Sequence, residues 1–261
     1  MYPDLPSRKR QQGVVIIVAL FIVALVATMS YVMMARLARD TRRTTLIVHD
    51  VQAALYAEGS VLWAKDTLNA NWIKQKKEKR VDVLPLKSPV NEMNGYAITS
   101  TIQDAQGRFN INNVSKPEMQ TDFIRLIHLV YPKMSNDEAA AVVLATLDWL
   151  MPGTRDNELT RYYAELPVPY RPAHRFMVDP GELRLVKGVT PALYEALKPY
   201  ITALPTVTPI NVQSAAPPVL ALLNPTMTLD TATSIRELLN QKPPVTLEAF
   251  MALDVIKNHK V

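Results

Sequence analysis

The chain opens on polar and basic positions, continues as one unbroken apolar run, and then mixes apolar and polar residues at helical spacing. From Val14 to Ala35, twenty-two residues carry no charged side chain. As a helix rising about 1.5 Å per residue they reach roughly 33 Å, enough to cross a hydrocarbon core of about 30 Å. The run is longer than the apolar part of a secretory signal, and no clean Ala-x-Ala site lies behind it, so a retained anchor is expected. Further on, Val48, Val51, Leu55, Gly59 and Leu62 recur three or four residues apart and share one helix face. The helix is expected to run to about Leu68, roughly 80 Å from Val14.

The pattern then changes. Lys74, Lys76, Lys77, Lys79 and Arg80 crowd the segment 71–80 against Glu78 alone, without the aromatics or glycines that stack bases or cradle phosphate, and a solvated loop is expected there. Alternation from Tyr96 to Gln103 predicts a strand, with Asn94-Gly95 before it and Asp104-Ala105-Gln106-Gly107 after it as turns. Phe109 and Ile111 mark a second strand, which completes a hairpin able to pack on the long helix. From Lys116 onward helices are joined by proline-rich connections. They are expected at Pro117 to Val130, Ser135 to Met151, Pro180 to Lys187, Pro191 to Tyr200, Pro218 to Leu223, Asp230 to Gln241 and Leu247 to Leu253. Ser135-Asn136-Asp137-Glu138 opens one as a capping box, and Thr190 caps another with Pro191 in its first turn. The fold class is α+β: a long N-terminal helix, a small antiparallel sheet and a large all-α domain.

Composition narrows the function. The chain has 261 residues of which 48% are apolar, enough for a core. It has no cysteine, which removes disulfides, thiolate metal sites and a cysteine nucleophile. The net charge of +5 is local: residues 1–80 hold 13 Lys/Arg against 6 Asp/Glu, and residues 114–261 hold 14 against 15. The C-terminal half therefore has no excess charge to attract a polyanion. Gly-x-Ser-x-Gly, His-Glu-x-x-His and phosphate-loop patterns are all missing, and His49, His128, His174 and His259 fall at unrelated places, so an enzyme is not expected.

Arg8-Lys9-Arg10-Gln11-Gln12-Gly13 directly before the apolar run looks like a type IV prepilin leader. Together with it, the run Asp104-Ala105-Gln106-Gly107-Arg108-Phe109-Asn110-Ile111-Asn112-Asn113, the run from Asp179 to Thr190, Leu197 to Pro205, and Ile210-Asn211-Val212 resemble the minor pseudopilin K family of type II secretion, general secretion pathway protein K. The resemblance implies a leader over 1–13 cut between Gly13 and Val14 by a prepilin peptidase. It also implies a transmembrane and amphipathic spine over 14–70, a pilin-like hairpin over 71–114 and an all-α domain with helical-hairpin repeats over 115–261. It places the N-terminus in the cytoplasm, the anchor in the bacterial inner membrane and the main body in the periplasm.

The implied role is to cap and prime the pseudopilus tip, with the minor pseudopilins I and J, then H, and the major pseudopilin as partners. Val48, Val51, Leu55 and Leu62 would be the partner face. Major pseudopilins carry glutamate at the fifth mature position to compensate a neighbour's buried N-terminal amine, and here that position is Val18, as the K family and a tip subunit allow. The family often has an acidic cluster after its tryptophan helix, and here Asp148, Asp156 and Glu158 are the candidate calcium ligands. Calcium takes six or more oxygens, so three scattered carboxylates make a thin set. The family also finishes its sheet with later strands. None is visible before Val261, so the sheet is incomplete, completed by a partner, or the sequence is truncated.

The rival reading is a membrane-anchored helix-hairpin-helix protein that binds nucleic acid. Leu185-Val186-Lys187-Gly188-Val189-Thr190-Pro191 and Leu222-Leu223-Asn224-Pro225-Thr226-Met227-Thr228 look like two such hairpins, whose glycine-freed amides would meet phosphate. Only Gly188 survives of the glycines, and the region is near neutral, so structural hairpins and no nucleic-acid partner are expected.

Overall fold

The computed structural model describes residues 12–78, 84–93, 95–152, 157–241 and 250. Packing divides the chain at Asp66/Thr67 into two units. The first is the greater part of one helix, α1 (Gln12–Glu78), 67 residues long. Its apolar stretch is exposed from Val14 to Met34. Hydroxyls along the helix turn inward: Thr28 Oγ1 donates to the Leu25 carbonyl at 2.8 Å, Thr44 Oγ1 to Asp40 at 2.9 Å and Ser60 Oγ to Tyr56 at 3.0 Å. Each polar group is thereby satisfied within the helix itself.

The helix does not stop near Leu68 but continues ten residues further, so most of the expected basic loop is helical. Residues 69–78 contain neither glycine nor proline, and lysines near a helix C-terminus favour the dipole.

In the second unit the expected strand over 96–103 is split and finds its partner upstream. β1 (Leu86–Lys87) pairs antiparallel with β4 (Thr101–Ile102), and between them β2 (Asn91–Met93) pairs with β3 (Tyr96–Ile98). Gly95 supplies the turn at φ +79, a conformation glycine adopts without penalty.

Phe109 does not fold back on this hairpin. Asp104 Oδ1 accepts the Gln106 amide at 2.9 Å and starts a 3-10 turn over Ala105–Gly107, and Asn110 Oδ1 accepts the Asn112 amide at 3.2 Å and starts another over Ile111–Ser115. Between the two turns β5 (Phe109–Asn110) pairs in parallel with β6 (Ile201–Thr202), so the C-terminal half is not purely helical.

The helices that follow are α2 (Pro117–Val130), α3 (Asn136–Leu150), α4 (Glu158–Ala164), α5 (Pro191–Leu197), α6 (Pro217–Leu220) and α7 (Leu229–Gln241). The capping box at Ser135 and the Thr190 cap are present as expected. Pro180–Leu185 is a 3-10 turn rather than an α-helix. α5 ends short of Tyr200, because Pro199 has no N–H to extend the ladder. α4 lies within the stretch between Met151 and Pro180, where a proline-rich connection was expected, and is capped by Asn157. The helix expected over 247–253 lies outside the described residues except for Phe250, which is buried.

One core gathers on α2 and α3, with Phe109 stacked on Phe123 at 5.4 Å and Ile111, Leu126, Val142, Trp149, Leu183, Leu193 and Ile201 around them. A smaller core, including Val219, Leu220, Met227, Ile235 and Leu239, joins α6 to α7. Leu129, Tyr200 and Ile210 pack against both.

Candidate functional site

Three places bear on function. The first is the surface of α1. Gly13 and Val14 lie in its first turn, and Val18 follows one turn later with half its surface exposed. Val48, Val51, Leu55 and Leu62 are all exposed, at 48 to 60%. Helical spacing aligns them in a stripe, and the open space around Gly59, where an added Cβ would meet nothing within 4 Å, leaves the backbone accessible. An exposed apolar stripe of this length is a candidate contact surface.

The second is a polar corner at the end of α3. Asp148 Oδ1 accepts the amide of Asn157, whose Oδ1 in turn caps α4 by accepting the Thr160 N–H at 2.7 Å. Asp148 Oδ2 and Thr160 Oγ1 are buried without a partner among the described residues. His174, held at φ 46, brings Nδ1 to 3.1 Å from the Asp148 carbonyl and 3.2 Å from that of Met151. Both neighbours accept, so Nδ1 carries the proton. Glu158 stands in the first turn of α4, and Asp156 lies outside the described residues. Among the described residues no three carboxylates or imidazoles gather as a metal site. The orphaned Asp148 oxygen fits a cation, and the described residues supply only part of the six or more oxygens that calcium takes.

The third is the asparagine motif, which the sequence offers only as a family signature. Asn110 Nδ2 donates to the Thr206 carbonyl at 2.8 Å and its Oδ1 accepts the Leu204 N–H at 3.0 Å. Asn112 Nδ2 donates to the Met177 and Leu204 carbonyls at 3.0 and 2.8 Å, and its Oδ1 accepts the Met177 N–H at 2.9 Å. Asn113 grips Thr208 through both backbone groups at 2.8 and 3.1 Å. Upstream, Asp104 Oδ2 accepts from Asn211 at 2.7 Å and Ser214 at 2.6 Å. A carboxamide offers a donor and an acceptor in one plane, which matches a peptide group in an extended segment. This row of them fastens the stretch 202–214, which has no long sheet of its own.

The hairpins are equally occupied. Lys187 N–H donates to the Tyr163 hydroxyl at 2.9 Å and Val189 N–H to the Val186 carbonyl at 3.1 Å, around Gly188 at φ +86. Burial pushes the Tyr163 phenol up to about 12 against the opposing Lys187 hydrogen bond. In the second hairpin Asn224 Oδ1 accepts from Thr226 N–H and hydroxyl, both at 2.8 Å, while Arg125 donates to the carbonyls of Asn224 and Met227. Burial lowers the Arg125 pKa, opposed by Asp122.

Comparison with known proteins finds a family described as type II secretion system (T2SS), protein K, matching residues 107–206. The type II secretion system protein K of Pseudomonas aeruginosa PAO1 is 31% identical over 233 residues, covering 83% of this chain and 69% of the relative. That of Pectobacterium carotovorum subsp. carotovorum is 30% identical, over 76% of this chain and 64% of the relative, a little under two thirds of its length. That of Aeromonas hydrophila is 28% identical over 84% and 72%. A chain of the GspK-GspI-GspJ complex from the type 2 secretion system of enterotoxigenic Escherichia coli matches in fold, with a TM-score of 0.64 at 24% identity over 83% of this chain and 80% of that one.

Proposed function

Because the chain belongs to the type II secretion system protein K family, we propose that it is a minor pseudopilin, a structural subunit and not a catalyst. In this reading it caps and primes the pseudopilus tip for export of folded periplasmic proteins across the outer membrane. The observation that carries the tip assignment is Val18, an uncharged residue one turn into α1. A subunit stacked on this one would bury its N-terminal amine without a carboxylate to compensate it, at a cost of several kcal/mol. The helical region over 115–261 is also bulkier than a pilin loop and would obstruct a further subunit.

The remaining assignments follow from that reading. A prepilin peptidase cuts after Gly13 and leaves Val14 N-methylated. The anchor is single-pass in the inner membrane, with the N-terminus cytoplasmic and the main body periplasmic. The pseudopilins I and J are the first partners, supported by the composition of the similar complex, and H and the major pseudopilin follow. Labelled subunits are expected at filament ends, with overproduction shortening filaments and deletion stopping secretion or lengthening filaments. Label spread evenly along shafts, or a Val18→Glu subunit unchanged in both assays, would count against the cap. Gly13→Leu is expected to block maturation, read from the mass of the N-terminus.

Calcium is a separate proposal resting on the unpartnered Asp148 oxygen. Calcium is expected to raise the thermal midpoint of the native chain over a chelator control and to leave that of Asp148→Asn unmoved. Equal midpoints with and without calcium in the native chain would remove it.

A further inference from the structure

We propose that Arg36, Arg39, Arg42 and Arg43 form a collar that binds the phosphate headgroups of anionic phospholipids where α1 leaves the bilayer. The proposal rests on reading Val14–Ala35 as a membrane span, in either orientation. All four side chains are exposed. They begin at the first residue after the uncharged run, with Asp40 as the only carboxylate among them. From Arg36 to Arg43 the helix rises roughly 10 Å, comparable with the headgroup layer of about 5 to 8 Å on each side of the hydrocarbon. Long basic side chains lie along apolar surface and lift their charge to this depth.

The collar has a sidedness. At roughly 100° per residue, Arg36, Arg39 and Arg43 fall within about 60° of arc. Leu37, Thr41, Thr44 and Val48, which line a shallow groove on α1, lie on the other side, in register with Val51 and Leu55. Arg42 flanks the arginine face, and Asp50 shares its direction about two turns further on. Headgroups held on the arginine side would leave the apolar side turned toward a neighbouring helix.

The guanidinium groups are available. Among the described residues none of the four meets a carboxylate, and Arg39 Nε alone is engaged, donating to the Ala35 carbonyl at 3.1 Å. Planar guanidinium forks suit phosphate oxygens, and near an anionic surface each basic residue contributes severalfold to binding. Arg8, Lys9 and Arg10 stand at the opposite end of the span and fall within the proposed leader. After processing, the arginine collar would be the chain's remaining basic flank.

The test uses the full chain in nanodiscs of equal phosphatidylglycerol and phosphatidylcholine, with R8Q, K9Q and R10Q in the background to silence the leader. Retained lipids are read by native mass spectrometry. The expected result is phosphatidylglycerol enrichment that falls at least about fivefold, the factor carried by one such residue, in R36Q/R39Q/R43Q and survives in R36K/R39K/R43K. Equal enrichment in the glutamine variant overturns the collar. Inorganic phosphate retained by the arginines in pure phosphatidylcholine discs, at the level of the lipid, would show a free-anion site and overturn the headgroup assignment. Resistance to carbonate extraction, measured on the same variants, reports the span itself and separates its failure from that of the collar.

Discussion

Replacing Asn112 by leucine tests whether the asparagine row holds the second unit together. The residue is fully buried, and leucine keeps most of its volume while deleting one acceptor and two donor bonds. The Met177 N–H, the Met177 carbonyl and the Leu204 carbonyl would each lose the side-chain partner that the structure gives them. A buried polar group left unsatisfied costs about 1 to 3 kcal/mol, and carbonyls recover part of this by relaxation. The sum is expected at about 3 to 5 kcal/mol, a large share of the 5 to 15 kcal/mol typical of a domain. Asn113→Leu, which releases only the two backbone groups of Thr208, is expected to cost less, about 2 to 3 kcal/mol. Urea unfolding of the full chain in detergent, followed by the near-ultraviolet signal of the Trp149, Tyr163 and Tyr170 cluster, measures both. A loss below about 1 kcal/mol for Asn112→Leu, the net value of one ordinary hydrogen bond, would refute the reasoning and indicate that water replaces the carboxamide.

Gly107→Ala is expected to lower the thermal midpoint, because the new Cβ would stand 2.7 Å from the Ser214 carbonyl oxygen and push apart the Asp104–Ser214 latch. Overpacking of this kind costs about 1 to 3 kcal/mol, and an unchanged midpoint would mean that the 211–214 turn gives way freely. Tyr163 has its folded pKa raised to about 12, first by burial, so the unfolded chain loses this proton at lower pH than the folded one. The stability it contributes is complete below about pH 10 and disappears as pH rises to about 12. Tyr163→Phe is expected to flatten that alkaline decline in urea titrations, and an identical decline in the variant would remove Tyr163 as its cause. Val51→Asp with Leu55→Asp places two charges in the exposed stripe of α1 and is expected to reduce co-purification with I and J by roughly tenfold or more. Undiminished recovery of a folded subunit would move the interface elsewhere.

The parts legible in the sequence are those with a local cause. The apolar first half of α1 as one helix, the Ser135 box and the Thr190 cap follow from composition and capping chemistry over a few residues, and α2 begins and ends where its proline and apolar spacing place it. What escaped depends on distant partners. Phe109 pairs with Ile201, about ninety positions away, and not with the adjacent hairpin. The asparagines give no sign in their own spacing of the segment they fasten. α4 was hidden by its prolines downstream and betrayed only by Asn157, a capping residue with Glu158 behind it. At the candidate metal corner the sequence supplied three carboxylates. The structure joins Asp148 to Asn157 and His174, two residues whose approach no spacing announces.

The two hairpins show how one backbone motif can serve recognition or scaffolding according to where its polar groups are directed. A phosphate-binding hairpin must leave successive amides facing solvent and surround them with positive charge. In the first hairpin the amides at 187 and 189 donate to a buried phenol and to the preceding turn, and Gly188 presses against Val142, whose methyl lies 3.0 Å from where a Cβ would stand. In the second, Asn224 accepts the Thr226 amide while Arg125 crosses from α2 to take the Asn224 and Met227 carbonyls. The arginine that would be free to attract phosphate is spent on the chain itself. Both hairpins thus bind their own neighbours, and α2, which supplies Arg125 to one and packs against α5 after the other, is the strut between them. The polar groups of both hairpins are therefore directed into the fold, as a scaffold uses them, and not outward to a phosphate.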